Sequence, residues 1–467
     1  MVPYFPKQLA DKGIYLYLGS LAAVSIVYMR HAMSWEYLAI GVMWAVGFFT
    51  LANRLSKKWQ AIPQKKFITN LLITAFALRV AWVIFSFYFY KSKTGQPFEF
   101  EAADSMFYYW AGVGFMNTPI TDMWNRLFVN NPAVSDSGFI FFLGLVSHIT
   151  KMDIIMPRIV LAALSTISCL QVYYITKRNL NEETARMAAL FNCLFPNLIL
   201  YCGLHMKETY MIFIITTFLE RADYLVRYRK HMVLNIALVV LTVFIMFTLR
   251  TVLGAVAIFS ISSALLFTNS KIIGKARRYL LIGWTVLAVS TLAGGVIMTE
   301  IEETWEDRAN NQEQKRTNQV NKGITWAQYA TGTVMAPMIF VLPFPTMVDV
   351  DRQYNQQLVS GGNFVRNYLG GFVLIALFSA LFVTKNWRNL ALIGSFVVGY
   401  LGIISTSGYA NSERFLLPGA PVLLIMAAYG VYLLNGKNFQ FIKIWYYVVP
   451  IMAIAWAFFK LGTRGFF

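Results

Sequence analysis

Apolar runs close to the length of about 20 residues that crosses a bilayer core as a helix recur along the whole of this 467-residue chain. In lipid the backbone must satisfy its own N–H and C=O groups, so such runs form helices or the strands of a closed barrel. Barrel strands are short and alternate apolar with polar residues, a pattern this sequence does not carry. With 57% hydrophobic residues, 13% charged residues and a mean hydropathy of +0.54, the chain lies outside the soluble globular range. The sequence predicts an all-α, polytopic integral membrane protein.

Thirteen helices are expected, over 13–29, 35–52, 67–90, 154–176, 184–204, 209–226, 232–249, 251–268, 279–298, 368–384, 389–407, 415–434 and 444–461. Arg250 divides the long run 232–268. Three prolines make Met335 to Pro345 an irregular piece outside the membrane rather than a further span. Gly13 to Met29 lacks a small-residue cleavage pattern and leads into more spans, so it reads as the first helix and not as a signal peptide.

The net charge of +18 comes from Lys and Arg clustered in short segments between apolar runs, which argues against a nucleic-acid partner and for an orientation signal. With the N-terminus inside, the inner segments hold Lys57 and Lys58, Arg178, Arg227 and Lys230, Arg277 and Arg278, and similar clusters. The short outer loops hold chiefly Arg30, Lys207, Arg250 and Arg414. Loops 91–153 and 299–367 then face outward, the compartment expected being the periplasmic side of a bacterial inner membrane. Within the first loop, Gly138 to Ile149 is apolar but too short to span, so it lies along the interface or re-enters. The second loop opens on Glu300, Glu302, Glu303, Glu306 and Asp307 and reads as solvated, with short interfacial helices. Cys169, Cys193 and Cys202 all fall inside predicted helices and suggest neither disulfides nor a zinc cluster.

Carboxylates are scarce, with 22 Asp and Glu in all, so those at helix ends matter. Glu99, Glu101 and Asp104 follow helix 67–90, and His205, Lys207 and Glu208 occupy the turn between helices 184–204 and 209–226. Both groups fall on the outer side. If the turns converge, one carboxylate can accept a proton from a hydroxyl as a general base, an effect of about 10²–10⁴ in rate, while a second orients the acceptor or helps to hold Mg²⁺ or Mn²⁺. The alternative is that the acidic residues only keep the loop wet. Lys207, Arg250 and Arg414 lie where a lipid phosphate would sit, and they either bind it or reach to headgroups. Arg79, near the middle of helix 67–90, must face the bundle interior, as part of an ion pair or at the base of a cavity. The aromatic residues of the first loop, Tyr108 among them, form an interfacial belt or a platform for sugar or prenyl groups.

Asp104-Ser-x-x-x-Tyr108-x-x-Ala111 after an early helix resembles the first-loop motif of the GT-C superfamily of membrane glycosyltransferases, in the group related to protein O-mannosyltransferases and lipid A aminoarabinose transferases. The run from Pro157 through Tyr173 to Arg178, Ala185 to Pro196 and Gly203 to Glu208 is similar to the helix-loop-helix stretch of that group. Glu413-Arg-Phe-Leu-Leu-Pro418-Gly-Ala-Pro421 resembles its arginine-then-proline helix start. The likeness covers residues 67–226 and 413–430. It implies a catalytic membrane module (67–298) including loop 91–153, an outer loop (299–367) and a C-terminal membrane module (368–467), while the two extra N-terminal helices (1–66) ahead of the motif-bearing one depart from the family pattern.

The resemblance further implies a transferase that takes a sugar from a polyprenyl-phosphate or polyprenyl-pyrophosphate donor. The acceptor is a lipid, a protein or another glycan at the outer surface. Asp104 becomes the base, with Glu99 and Glu101 as its neighbours and rivals, and Glu208 the second acid. Arg414 with Lys207 or Arg250 become the phosphate contacts, with His205, Tyr108 and Arg79 lining the substrate site. A metal, if used, would sit on Asp104 and Glu208. Inversion is expected from direct displacement. A glycan polymerase or ligase of the outer face, and a flippase of a lipid-linked saccharide, are the competing readings. The first usually depends on basic loop residues. The second needs a charged path for which the spans offer little beyond Arg79.

Overall fold

The computed structural model describes residues 4–130, 135–151, 154–228, 231–267, 283, 341–406, 412–434 and 440–462. The predicted span 279–298 lies outside the described residues apart from 283, as does the acidic start of loop 299–367. Among the described residues the chain is helical, with no strand and a single isolated bridge between Ala32 and Val348.

Three long helices open the chain, α1 (Lys7–Val27), α2 (Trp35–Trp59) and α3 (Gln64–Thr94). Each begins directly after Pro6, Ser34 or Pro63, residues that suit the extended cap position and cannot or need not continue a helix backwards. Gly95, at φ 77°, ends α3 in the left-handed conformation that glycine adopts without strain. The first loop then folds into α4 (Asp104–Gly114), α5 (Ile120–Trp124) and α6 (Ser137–Thr150), the last holding the short apolar stretch and packing on α4.

After α7 (Ile155–Asn179), the chain turns into α8 (Glu182–Leu194), whose first turn is capped by Asn181 Oδ1 accepting from the Thr184 N–H at 2.8 Å. Pro196 lacks the N–H that α8 would need to run on, so the chain bends by 51° into α9 (Pro196–Leu200). α10 (Lys207–Arg227), α11 (Met232–Leu249) and α12 (Thr251–Phe267) follow, the last two separated by Arg250 alone. The C-terminal part holds α13 (Tyr354–Leu358), α14 (Ser360–Phe378), α15 (Ala391–Thr406), α16 (Glu413–Leu416), α17 (Ala420–Leu434) and α18 (Gln440–Gly462).

Eight of the described helical segments are long and apolar enough to cross a membrane, and nine if the bent α8–α9 pair is one span. Of the other expected spans, α12 and α15 are shorter, with 17 and 16 residues, and α10 carries five charges between Glu208 and Arg227 and ends in ion pairs. α14 and α17 form the buried centre. A side chain at Gly430 would collide with the Phe372 carbonyl, so the absence of one lets these two helices approach closely. α1, α2, α3, α11 and α18 present apolar outer faces, including Val233, Val240 and Ile451, as helices in lipid do.

Candidate functional site

Three helix starts, 104, 207 and 413, meet at one end of the bundle. Asp104 is the first residue of α4 and Glu208 the second of α10, positions where the helix dipole favours a carboxylate. Arg414, in the first turn of α16, donates through Nε to Glu208 and through Nη1 to Asp104. Exposure rises along this chain of contacts, from 0% for the Glu208 side chain through 18% for Arg414 to 48% for Asp104. The second oxygen of Glu208 is buried without a hydrogen-bond partner. Asp104 is thus the member that an outside molecule can reach, and Glu208 the one that fixes the guanidinium from behind.

Lys207 is buried beside this triad. It donates to Asp136, at the start of α6, and to the Leu249 carbonyl at 3.3 Å. Burial, and then the neighbouring Arg250, push its ammonium down to about 7 against the pull of Glu208 and Asp104. Arg250 donates through Nη1 to the Tyr400 hydroxyl at 3.0 Å and lies 4.7 Å over the Phe415 ring. Among the described residues it has no carboxylate partner within ion-pair distance. Tyr108, on the α4 turn after Asp104, is buried edge-on against Phe139; burial, followed by the charge of Glu208, raises its phenol well above the ordinary range.

The other residues singled out from sequence lie elsewhere. Glu101, at φ 52°, is exposed and 3.9 Å from the still more exposed Arg352. His205 is 1% exposed, enclosed by the rings of Phe98 and Tyr109, and burial followed by the charge of Arg158 holds it neutral. Glu99 is buried and accepts from the Ser105 hydroxyl next to Asp104, which braces the start of α4; burial pushes its carboxyl up against the pull of that bond. Behind it Arg158 donates to the Pro97 carbonyl at 2.7 Å.

Arg79 has all five N–H donors engaged inside the bundle: Ser165 Oγ at 2.8 Å, the Ala75, Cys193 and Asn192 carbonyls at 3.2, 3.1 and 3.1 Å, and Cys169 Sγ at 3.6 Å. Asn192 and Cys193 are the residues whose carbonyls lose their helical partners when α8 breaks at Pro196. Arg79 is the donor set for that broken helix end, and no N–H is left over for a substrate.

Asp136, Arg158 and Tyr400 were not among the residues picked out from sequence. Arg158 carried a signal, a charge inside an expected apolar helix, of the same kind that drew notice to Arg79. Asp136 and Tyr400 carried none, since what makes them relevant is contact with Lys207 and Arg250.

Asp104 and Glu208 do not fit a divalent-cation site as they stand. Both are engaged by Arg414, and the described residues offer no cluster of three Asp, Glu, His or Cys side chains to complete a shell of the six oxygens that Mg²⁺ prefers. Cys169, Cys193 and Cys202 are free and buried.

No protein-family model and no curated protein matches the chain. The chain aligns with solved structures of the oligosaccharyltransferase of Archaeoglobus fulgidus. The apo form aligns at a TM-score of 0.47 and 11% identity over 86% of this chain, and a complex of the archaeal enzyme AglB with an inhibitory peptide and a dolichol-phosphate at 0.44 and 13% over 86%. A complex of the same oligosaccharyltransferase with Zn and sulfate aligns at 0.41 and 13% identity over 83%. These alignments span 56%, 56% and 53% of the archaeal chains.

Proposed function

We propose that this protein is a GT-C-like membrane glycosyltransferase. It moves a sugar from a polyprenyl-phosphate or polyprenyl-pyrophosphate donor to an acceptor at the outer face of a bacterial inner membrane, which the chain crosses with up to thirteen helices. The observation that carries the reading is the Asp104–Arg414–Glu208 triad, because three of the residues that the sequence resemblance singles out come from separate elements and meet. In this reading the half-exposed Asp104 takes the proton from an acceptor hydroxyl. The hydroxyl oxygen attacks the anomeric carbon, the bond from that carbon to the phosphate oxygen breaks with its electron pair, and the phosphate leaves with inverted geometry at the sugar.

The departing phosphate gains negative charge at a partly dehydrated surface, where fixed cations act most strongly. Arg250 suits this task best, since it has no carboxylate partner among the described residues and can offer a fork of donors. Lys207 adds a point charge beside it below about pH 7. Glu208, having no exposure, acts through Arg414 rather than on the substrate.

The test is mass spectrometry of surface glycans and lipid-linked sugars in cells lacking the chain, complemented with wild type or Asp104→Asn at matched membrane levels. Donor accumulation and loss of the glycan with the variant support the reading. Full restoration of the glycan overturns the assignment of Asp104 as base.

A further inference from the structure

Arg414 is held at its two ends by carboxylates in very different surroundings. The Nε contact goes to Glu208, which is wholly buried, so breaking it would strand a charge away from water. The Nη1 contact goes to Asp104, whose side chain is 48% exposed and is rehydrated as soon as it is released. The guanidinium is therefore anchored on one edge and exchangeable on the other. Arg250 and Lys207, the cations that would receive a phosphate, lie close enough to Asp104, Glu208 and Arg414 to share their electrostatic field, and a phosphate matches the guanidinium fork as well as a carboxylate does.

From this asymmetry, and resting on the reading of a phosphate-linked donor, we propose that Asp104 and the donor phosphate compete for the terminal edge of Arg414, so that donor binding releases the base. Before the donor arrives, Oδ2 of Asp104 accepts from Arg414 Nη1. Once the phosphate takes the Nη edge, Asp104 turns to the acceptor hydroxyl while Glu208 keeps Arg414 in place. Donor binding thereby precedes activation of the acceptor, which guards the lipid-linked sugar site from an unmasked base when no donor is present.

The consequence runs against ordinary expectation for a catalytic residue: removing the charge of Asp104 improves binding of the phosphate. The experiment measures binding of farnesyl phosphate, with farnesol as the uncharged control, to the full chain in nanodiscs at fixed ionic strength. Asp104→Asn is expected to tighten farnesyl phosphate binding about three- to fivefold, the effect of losing one half-exposed competing ion pair. Glu101→Gln removes the same charge from the neighbouring turn without touching Arg414, and it is expected to leave the affinity unchanged. Unchanged or weaker binding by Asp104→Asn overturns the competition and leaves the transferase reading standing. Equal tightening by both variants also overturns it, because a general field effect then explains the gain. If wild type binds farnesyl phosphate no better than farnesol, the phosphate-linked donor itself is refuted together with the inference.

Discussion

Glu208 and Arg414 stand 206 residues apart in sequence and are joined by a charge-assisted bond between Oε1 and Nε, with the carboxylate fully enclosed. A buried carboxylate with one orphaned oxygen is tolerated only because the guanidinium neutralises it. Removing one member of such a pair leaves the other uncompensated. Glu208→Ala is expected to lower stability on the order of 3 kcal/mol, read as a fall in melting temperature in detergent. Asp104→Ala, at the exposed end of the same guanidinium, should change it by less than about 1 kcal/mol. Equal effects of the two would contradict the anchored-edge description of Arg414.

Lys207 gives the site a pH dependence whose sign can be worked out. Its folded-state value of about 7 lies below the ordinary 10.5, so the side chain is charged in the folded protein only below about 7, whereas the unfolded chain keeps its proton up to about 10.5. Between those values the unfolded state holds more protons, and the contribution of Lys207 to stability rises with pH. Its contribution to phosphate binding falls over the same crossing, because the neutral amine no longer attracts the anion. Lys207→Arg keeps its charge throughout. The ratio of farnesyl phosphate affinities, variant over wild type, should therefore grow as pH rises through about 7, and a ratio that stays flat between pH 6 and 8 would show that Lys207 remains charged.

Arg79 tests the account of the α8–α9 break. With its five donors engaged, Arg79→Ala leaves the Asn192 and Cys193 carbonyls buried without partners, each at a cost of about 1–3 kcal/mol. Arg79→Lys, with three donors on a single nitrogen, cannot span the same set. Both variants should lose thermal stability and membrane abundance, Ala more than Lys. Pro196→Ala restores an N–H at the break and is expected to recover part of the loss in the Arg79→Ala background. Failure of that rescue would show that the carbonyls of the break are not what Arg79 serves.

Arg79 also marks where sequence reasoning stops. A charge in the middle of an apolar run announces that it faces inward, since lipid would not tolerate it. Its partners are mainly backbone carbonyls, which no residue letter encodes, and so neither an ion pair nor a cavity was the answer. The helices at 35–59 or 155–179 were legible because twenty apolar letters have one solution in lipid. Asp104 and Glu208 were legible as members of motifs in outer turns and Arg414 of one at a helix start, but their meeting depends on tertiary packing. Glu101 and His205 show the reverse, polar letters near the motif that packing sends to the surface or encloses among rings.

Asp104 and Glu101 provide the sharpest separation of chemistry from loop polarity, being three residues apart and differing in partner. Asp104 is half-exposed and shares Arg414 with Glu208, whereas Glu101 faces Arg352 on the surface. If Asp104 is the proton acceptor, Asp104→Asn keeps size and polarity but removes basicity, and sugar transfer should fall by about 10²–10⁴. Its melting temperature should stay close to wild type, because an exposed carboxylate is not what supports the fold. Glu101→Gln should keep transfer within about twofold, the loss of a 3.9 Å surface pair being worth little. The two rates, measured with one lipid-linked donor preparation in the same membranes, decide the matter. A large loss in Glu101→Gln with Asp104→Asn active would move the base to the surface turn and detach the triad from the chemistry.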